Sequence, residues 1–168
     1  MQKIKFLSLI LIMGFIVSSC GVYSFTGASI PAQAKSFSVD YFPNNAPIVQ
    51  PTLSQVFTDA LKDKFTRQTN LSLTNGIGDL HFEGSITGYG TQPQTIGGDD
   101  RATQNRLTVS VRVRFVNDYE PDNDFEQTFS RYYDYAAHRS LAEVENEAID
   151  AILEALVEDI FNRAVVNW

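Results

Sequence analysis

The sequence predicts an α+β two-layer sandwich, with two helices packed on one face of a four-stranded mixed sheet in the order β-α-β-β-β-α. Residues 106–117 alternate Leu107, Val109, Val111, Val113 and Phe115 with Arg106, Thr108, Ser110, Arg112 and Arg114, the period of a strand with one buried and one wet face. Residues 52–69 and the stretch after Ser140 instead space their apolar side chains by three and four, so each draws one stripe on a helix. Strands with one polar face and helices with one apolar stripe are both satisfied when the helices share one side of the sheet.

The chain opens with Lys3 and Lys5 and continues through residues 6–17, which are apolar apart from Ser8 and Gly14. That run is too short to span a bilayer. A basic start, an apolar middle and small residues before a cut site are the layout of a secretory signal. The cut site Val17-Ser18-Ser19-Cys20 resembles the bacterial lipobox, whose cysteine is lipidated and becomes the new N-terminus. Residues 1–19 are therefore expected to be a cleaved signal peptide, and Cys20 to carry acyl chains such as palmitate. Each buried methylene adds about 0.8 kcal/mol of membrane affinity, so several chains make attachment effectively permanent.

Cys20 is the only cysteine, so no internal disulfide is available and the exported domain must hold together by its core. About 149 residues remain after cleavage, enough for one such core. Losing Lys3 and Lys5 takes the formal charge from −7 to −9, which argues against non-specific nucleic-acid binding. Gly21 stands where an inner-membrane retention signal would place aspartate, and no acidic cluster follows it. The expected location is the outer membrane, lipid-anchored, on the periplasmic side.

Residues 20–35 form the lipidated N-terminus and a Gly/Ser/Ala/Thr-rich tether, and residues 36–168 a single domain. Residues 36–42 alternate Phe37, Val39 and Tyr41 with Ser36, Ser38 and Asp40 as a first strand, which the prolines of residues 43–51 break. The first helix, residues 52–69, sets Leu53, Val56, Phe57, Ala60, Leu61 and Phe65 on its stripe, and residues 70–78 are read as a loop. Residues 80–89 make the second strand, with Leu80, Phe82, Ile86, Gly84 and Gly88 on the apolar face and His81, Glu83 and Thr87 opposite. If the first two strands pair, the intervening helix requires a parallel crossover.

Residues 90–105 hold few apolar side chains and are read as a long mobile loop. Residues 106–117 form the third strand, residues 117–124 an acidic turn, and Phe125, Phe129 and Tyr133 mark a fourth strand in a hairpin with the third. Ser140 and Glu143 make a capping box for a last helix whose stripe runs from Leu141 through Val144, Ala148, Ile149, Ile152, Leu153, Leu156, Ile160 and Phe161 to Val165.

Catalysis finds little support. No serine lies in a GxSxG elbow, no glycine run resembles a phosphate-binding loop, and the lone cysteine is committed to lipid. No cofactor is expected. Neither is a metal: His81 and His138 show no HxxxH or HExxH spacing, and the acidic residues 118–126 are broken by Pro121 and fail the calcium-loop pattern, leaving a solvated turn. The feature singled out is the polar face of the third strand, where Arg106, Arg112 and Arg114 concentrate positive charge in an acidic chain. It reads either as a charged, soluble strand face or as a contact surface for phosphate or carboxylate groups.

The lipobox ending in Cys20-Gly21, the segment Val22-Tyr23-Ser24-Phe25-Thr26-Gly27, and a β-α-β-β-β-α domain of this length together resemble the LptE family of lipopolysaccharide-assembly lipoproteins, in the form found in Bacteroidetes. The resemblance covers essentially the whole mature chain. It implies a non-enzymatic plug inside the outer-membrane β-barrel protein LptD that assists lipopolysaccharide insertion into the outer leaflet. Arg112 and Arg114, with Arg106, are then expected to meet lipopolysaccharide phosphates. The rival readings are a stand-alone periplasmic lipoprotein that binds a ligand or serves another envelope complex, and a small lipid-anchored hydrolase.

Overall fold

Leu107, Val109, Val111, Val113 and Phe115 are all buried, and the sheet is built around the strand that carries them. A computed structural model describes residues 30–95 and 104–165. Among these residues the elements are β1 (Ser36–Val39), α1 (Leu53–Gln68), β2 (Ser72–Leu73), β3 (Leu80–Gln94), β4 (Gln104–Asn117), β5 (Phe125–Ala136) and α2 (Leu141–Val165), with a 3₁₀ turn at Pro121–Asn123. The strands lie in the order β2-β1-β3-β4-β5, with β1 parallel to both neighbours and β3, β4 and β5 successively antiparallel.

The mixed sheet thus has five strands where the sequence predicts four. The added strand is β2, within the segment read as a loop. After α1 the chain returns along β1, and the Ser72 and Thr74 amides donate to the carbonyls of Lys35 and Phe37 at 2.9 Å each. Two residues are too few to show an alternation. β1 and β3 do pair, and in parallel, so α1 is the crossover that such a pairing requires.

Two further readings change. Residues 90–94 and 104–105 are not loop but the paired ends of β3 and β4, from Thr91 opposite Leu107 to Gln94 opposite Gln104. A hairpin that protrudes into water needs no apolar face, so its composition looks like that of a loop. Its tip, residues 96–103, lies outside the described residues. The register also shifts between Ile86 and Gly88. This bulge moves Gly88 from the expected apolar face to a place opposite Ser110 on the polar face and turns Tyr89 into the core. Tyr41, expected beside Phe37 and Val39, is 57% exposed, because β1 ends at Val39 and Phe42 takes the buried place.

Both helices lie over the same face. Phe65 of α1 packs against Phe37 and Phe82 of the sheet and Phe161 of α2, at centroid distances of 5.6, 4.7 and 5.0 Å. The aromatic row continues under the helices through Phe115, Phe125 and Phe129. Lys64 of α1 pairs with Glu158 of α2 at the rim. Thr52 makes no side-chain cap for α1; the Gln50 carboxamide oxygen accepts the Leu53 amide at 2.8 Å instead. At the start of α2, the Glu143 carboxylate accepts the Ser140 amide at 2.9 Å, one half of the expected box. Among the described residues no helix is long and apolar enough to cross a membrane.

Gly84 is required where it stands. A Cβ there would lie 2.0 Å from the Arg112 carbonyl oxygen and 2.7 Å from the Phe42 ring.

Candidate functional site

The sheet face turned away from the helices is polar from end to end. Register aligns its rows across β3, β4 and β5: Glu83, Arg114, Glu126; then Ser85, Arg112, Thr128; Gly88, Ser110, Ser130; Gly90, Thr108, Tyr132; and Gln92, Arg106, Asp134. The middle rows carry hydroxyls and glycines, with the Ser110 and Ser130 hydroxyls 3.0 Å apart. Charge is confined to the two ends. The outcome is a face rich in hydrogen-bonding groups along these rows.

All three arginines singled out in the sequence stand on this face, and each has a carboxylate partner. Arg114 pairs with Glu83 on β3. Arg112 Nε lies 2.9 Å from Glu126 Oε1 on β5, with both side chains more than half exposed. Arg106 is held most firmly: its Nε and Nη2 donate to the two oxygens of Asp134 at 2.7 and 2.8 Å, and its guanidinium lies 3.6 Å from the Tyr132 ring centroid. The hydrogen bond from Arg106 holds the Asp134 carboxyl below the usual carboxylate range. Arg106 also stands apart, since six residues of strand put it about 20 Å from Arg112. Cys20 lies outside the described residues.

Arg112 and Arg114 border one open depression of about 340 Å³ with Asp40, Tyr41, Glu83, Gly84 and Glu126. Three carboxylates therefore meet two guanidiniums there, so an anion enters only by displacing an acidic partner. Beside it sits a residue that the sequence reading set aside. His81 Nδ1 is 2.7 Å from Ser38 Oγ, and its Nε2 is 3.7 Å from Asp40 Oδ2 and 4.0 Å from Glu83 Oε2. Alternation places Asp40, His81 and Glu83 on the polar face, but nothing in the spacing from 40 to 81 shows that they meet.

A protein-family model described as "LptE: Lipopolysaccharide-assembly" matches residues 34–164. No curated protein matches the chain in sequence. Among solved structures, the chain is similar to a minor lipoprotein from Acinetobacter baumannii, with 16% identity and a TM-score of 0.50 over 77% of this chain and 91% of that one. It is also similar to a hypothetical protein from Chlamydia trachomatis, with 11% identity and a TM-score of 0.51 over 80% of this chain and 100% of that one. At such identities the likeness is one of fold.

Proposed function

Because the chain belongs to the LptE family of lipopolysaccharide-assembly proteins, we propose that it is a lipoprotein of the outer membrane that sits as a plug in the lumen of the LptD β-barrel. In this reading it assists lipopolysaccharide insertion into the outer leaflet without catalysing a reaction. The signal peptide is removed, Cys20 is acylated, and the tether to residue 35 holds the domain at the periplasmic side of the barrel.

The uncovered sheet face carries the proposal. Barrel lumens are polar, and a face built of aligned hydroxyls, glycines and cross-strand ion pairs offers hydrogen bonds to such a wall at no cost in buried apolar area. An apolar face would instead have called for a third layer. Arg112 and Arg114 are assigned to lipopolysaccharide phosphates, exchanging a carboxylate for a phosphate as the lipid passes. Arg112 is the readier of the two, because its partnership with Glu126 is solvent-exposed and such pairs contribute little. Arg106, clamped by Asp134 and Tyr132, is assigned to the same contact only as an outlying member.

The test is an affinity pull-down of the full-length lipidated protein from detergent-solubilised outer membrane, with co-purifying proteins identified by mass spectrometry. A large β-barrel protein in near-equal amount is expected. Extraction of the protein alone would reject the plug and leave an anchored periplasmic binding domain.

A further inference from the structure

Parallel pairing of β1 with β3 sets Ser38 opposite His81, which brings Asp40, just past β1, beside His81 and Glu83. The nearest donor atoms of these three side chains all lie within 4.8 Å of one another. We propose that Asp40, His81 and Glu83 form a zinc site.

The histidine is oriented as a ligand is. Ser38 is only 3% exposed, and its hydroxyl receives the Gly78 amide at 2.9 Å and faces His81 Nδ1 at 2.7 Å. Gly78 can come this close because it has no side chain: a Cβ would lie 2.7 Å from the Phe37 carbonyl carbon. A metal-bound histidine is held in the same way, through a hydrogen bond at its other ring nitrogen. Binding zinc selects the tautomer in which Nδ1 donates to Ser38 Oγ, which leaves the lone pair on Nε2, beside the two carboxylates.

Among the described residues, Nε2 faces only the carboxylates of Asp40 and Glu83 within 4 Å. Its distances of 3.7 Å to Asp40 and 4.0 Å to Glu83 exceed hydrogen-bond range. They are close to the separation of donors around one ion, since ligands about 2.1 Å from a tetrahedral zinc stand about 3.4 Å apart. Closing the set around one ion requires the carboxylates to move inward, and the Asp40 side chain is 60% exposed and free to turn. Glu83 uses Oε1 for Arg114 and presents Oε2 to His81. One imidazole nitrogen and two carboxylate oxygens, with a fourth position open to solvent, suit zinc, whereas magnesium prefers oxygen ligands in an octahedron. The bound ion would tie the end of β1 to β3 at the rim of the polar face. The guanidinium of Arg114, sharing Glu83, competes with the ion for that carboxylate and weakens its hold.

The test is calorimetric titration of zinc chloride into the full-length lipidated protein in detergent at neutral pH. One zinc per chain is expected. Asp40→Asn and His81→Gln should each weaken binding by about tenfold or more, and His138→Gln should leave it unchanged. Asp40 is exposed, so its variant remains informative even where His81→Gln fails to fold. Absence of binding at micromolar concentrations, or binding that Asp40→Asn leaves intact, would overturn the site. The readout needs no barrel partner, so its failure leaves the plug reading standing.

Discussion

Ser36 and Asp79 bond each other in both directions: the Ser36 amide and hydroxyl donate to Asp79 Oδ2 at 2.9 Å each, and the Asp79 amide donates to Ser36 Oγ at 3.1 Å. The Lys35 amide adds a third donor to the same carboxylate oxygen at 2.7 Å. This knot joins the start of β1 to the turn before β3, two segments more than forty residues apart in sequence.

The Lys35 and Ser36 amides are the leading causes that lower the Asp79 pKa from its ordinary 3.8. A carboxyl depressed in the folded state stabilises at every pH above its unfolded value and loses that contribution as pH falls through its folded value. Asp79→Ala is therefore expected to lower the melting temperature at pH 7. The gap to wild type should narrow only below about pH 4, as followed by circular dichroism across a pH series. A gap independent of pH would place the effect elsewhere.

Phe65 touches rings from both layers of the sandwich. Phe65→Ala should cost about 3–5 kcal/mol in urea unfolding. Val56, on the same expected stripe but 40% exposed, should cost under about 1 kcal/mol when cut to alanine.

Gly84 and Gly90 lie on the same strand in unlike surroundings. Gly84→Ala forces a methyl into the Arg112 carbonyl and the Phe42 ring and should destabilise by about 1–3 kcal/mol, as overpacking does. Gly90→Ala meets nothing within 4 Å and should leave chemical denaturation unchanged or shift it slightly upward.

Ser130 is exposed in the middle row of the polar face, opposite Ser110. Ser130→Trp should leave the melting temperature within a few degrees of wild type while sharply reducing recovery of the barrel protein in the pull-down. Undiminished recovery would move the contact to another surface.

The faces of the long elements were legible because burial repeats with the geometry of the element. Val144, Ala148, Ile152, Leu156 and Ile160 are buried on α2, and Leu107 through Phe115 on β4, where period and pattern agree over many residues. Legibility failed where elements are short or wet. β2 has two residues, and the outer hairpin has no side to bury. The candidate site was half legible: alternation puts Arg106, Arg112 and Arg114 on one face, but their carboxylate partners sit on other strands.

By itself, then, the sequence determined the types of the long elements, the core-facing sides of β4 and α2, and the family expectation that the family match bears out, because each of these is local or carried by contiguous residues. Only the tertiary structure decided the fifth strand, the Ile86–Gly88 bulge, and the meeting of Asp40 with His81 and Glu83. Phe37 of β1 and Phe82 of β3 meet through Phe65 of α1, and such contacts between distant segments, like the register they accompany, are recorded by no spacing along the chain.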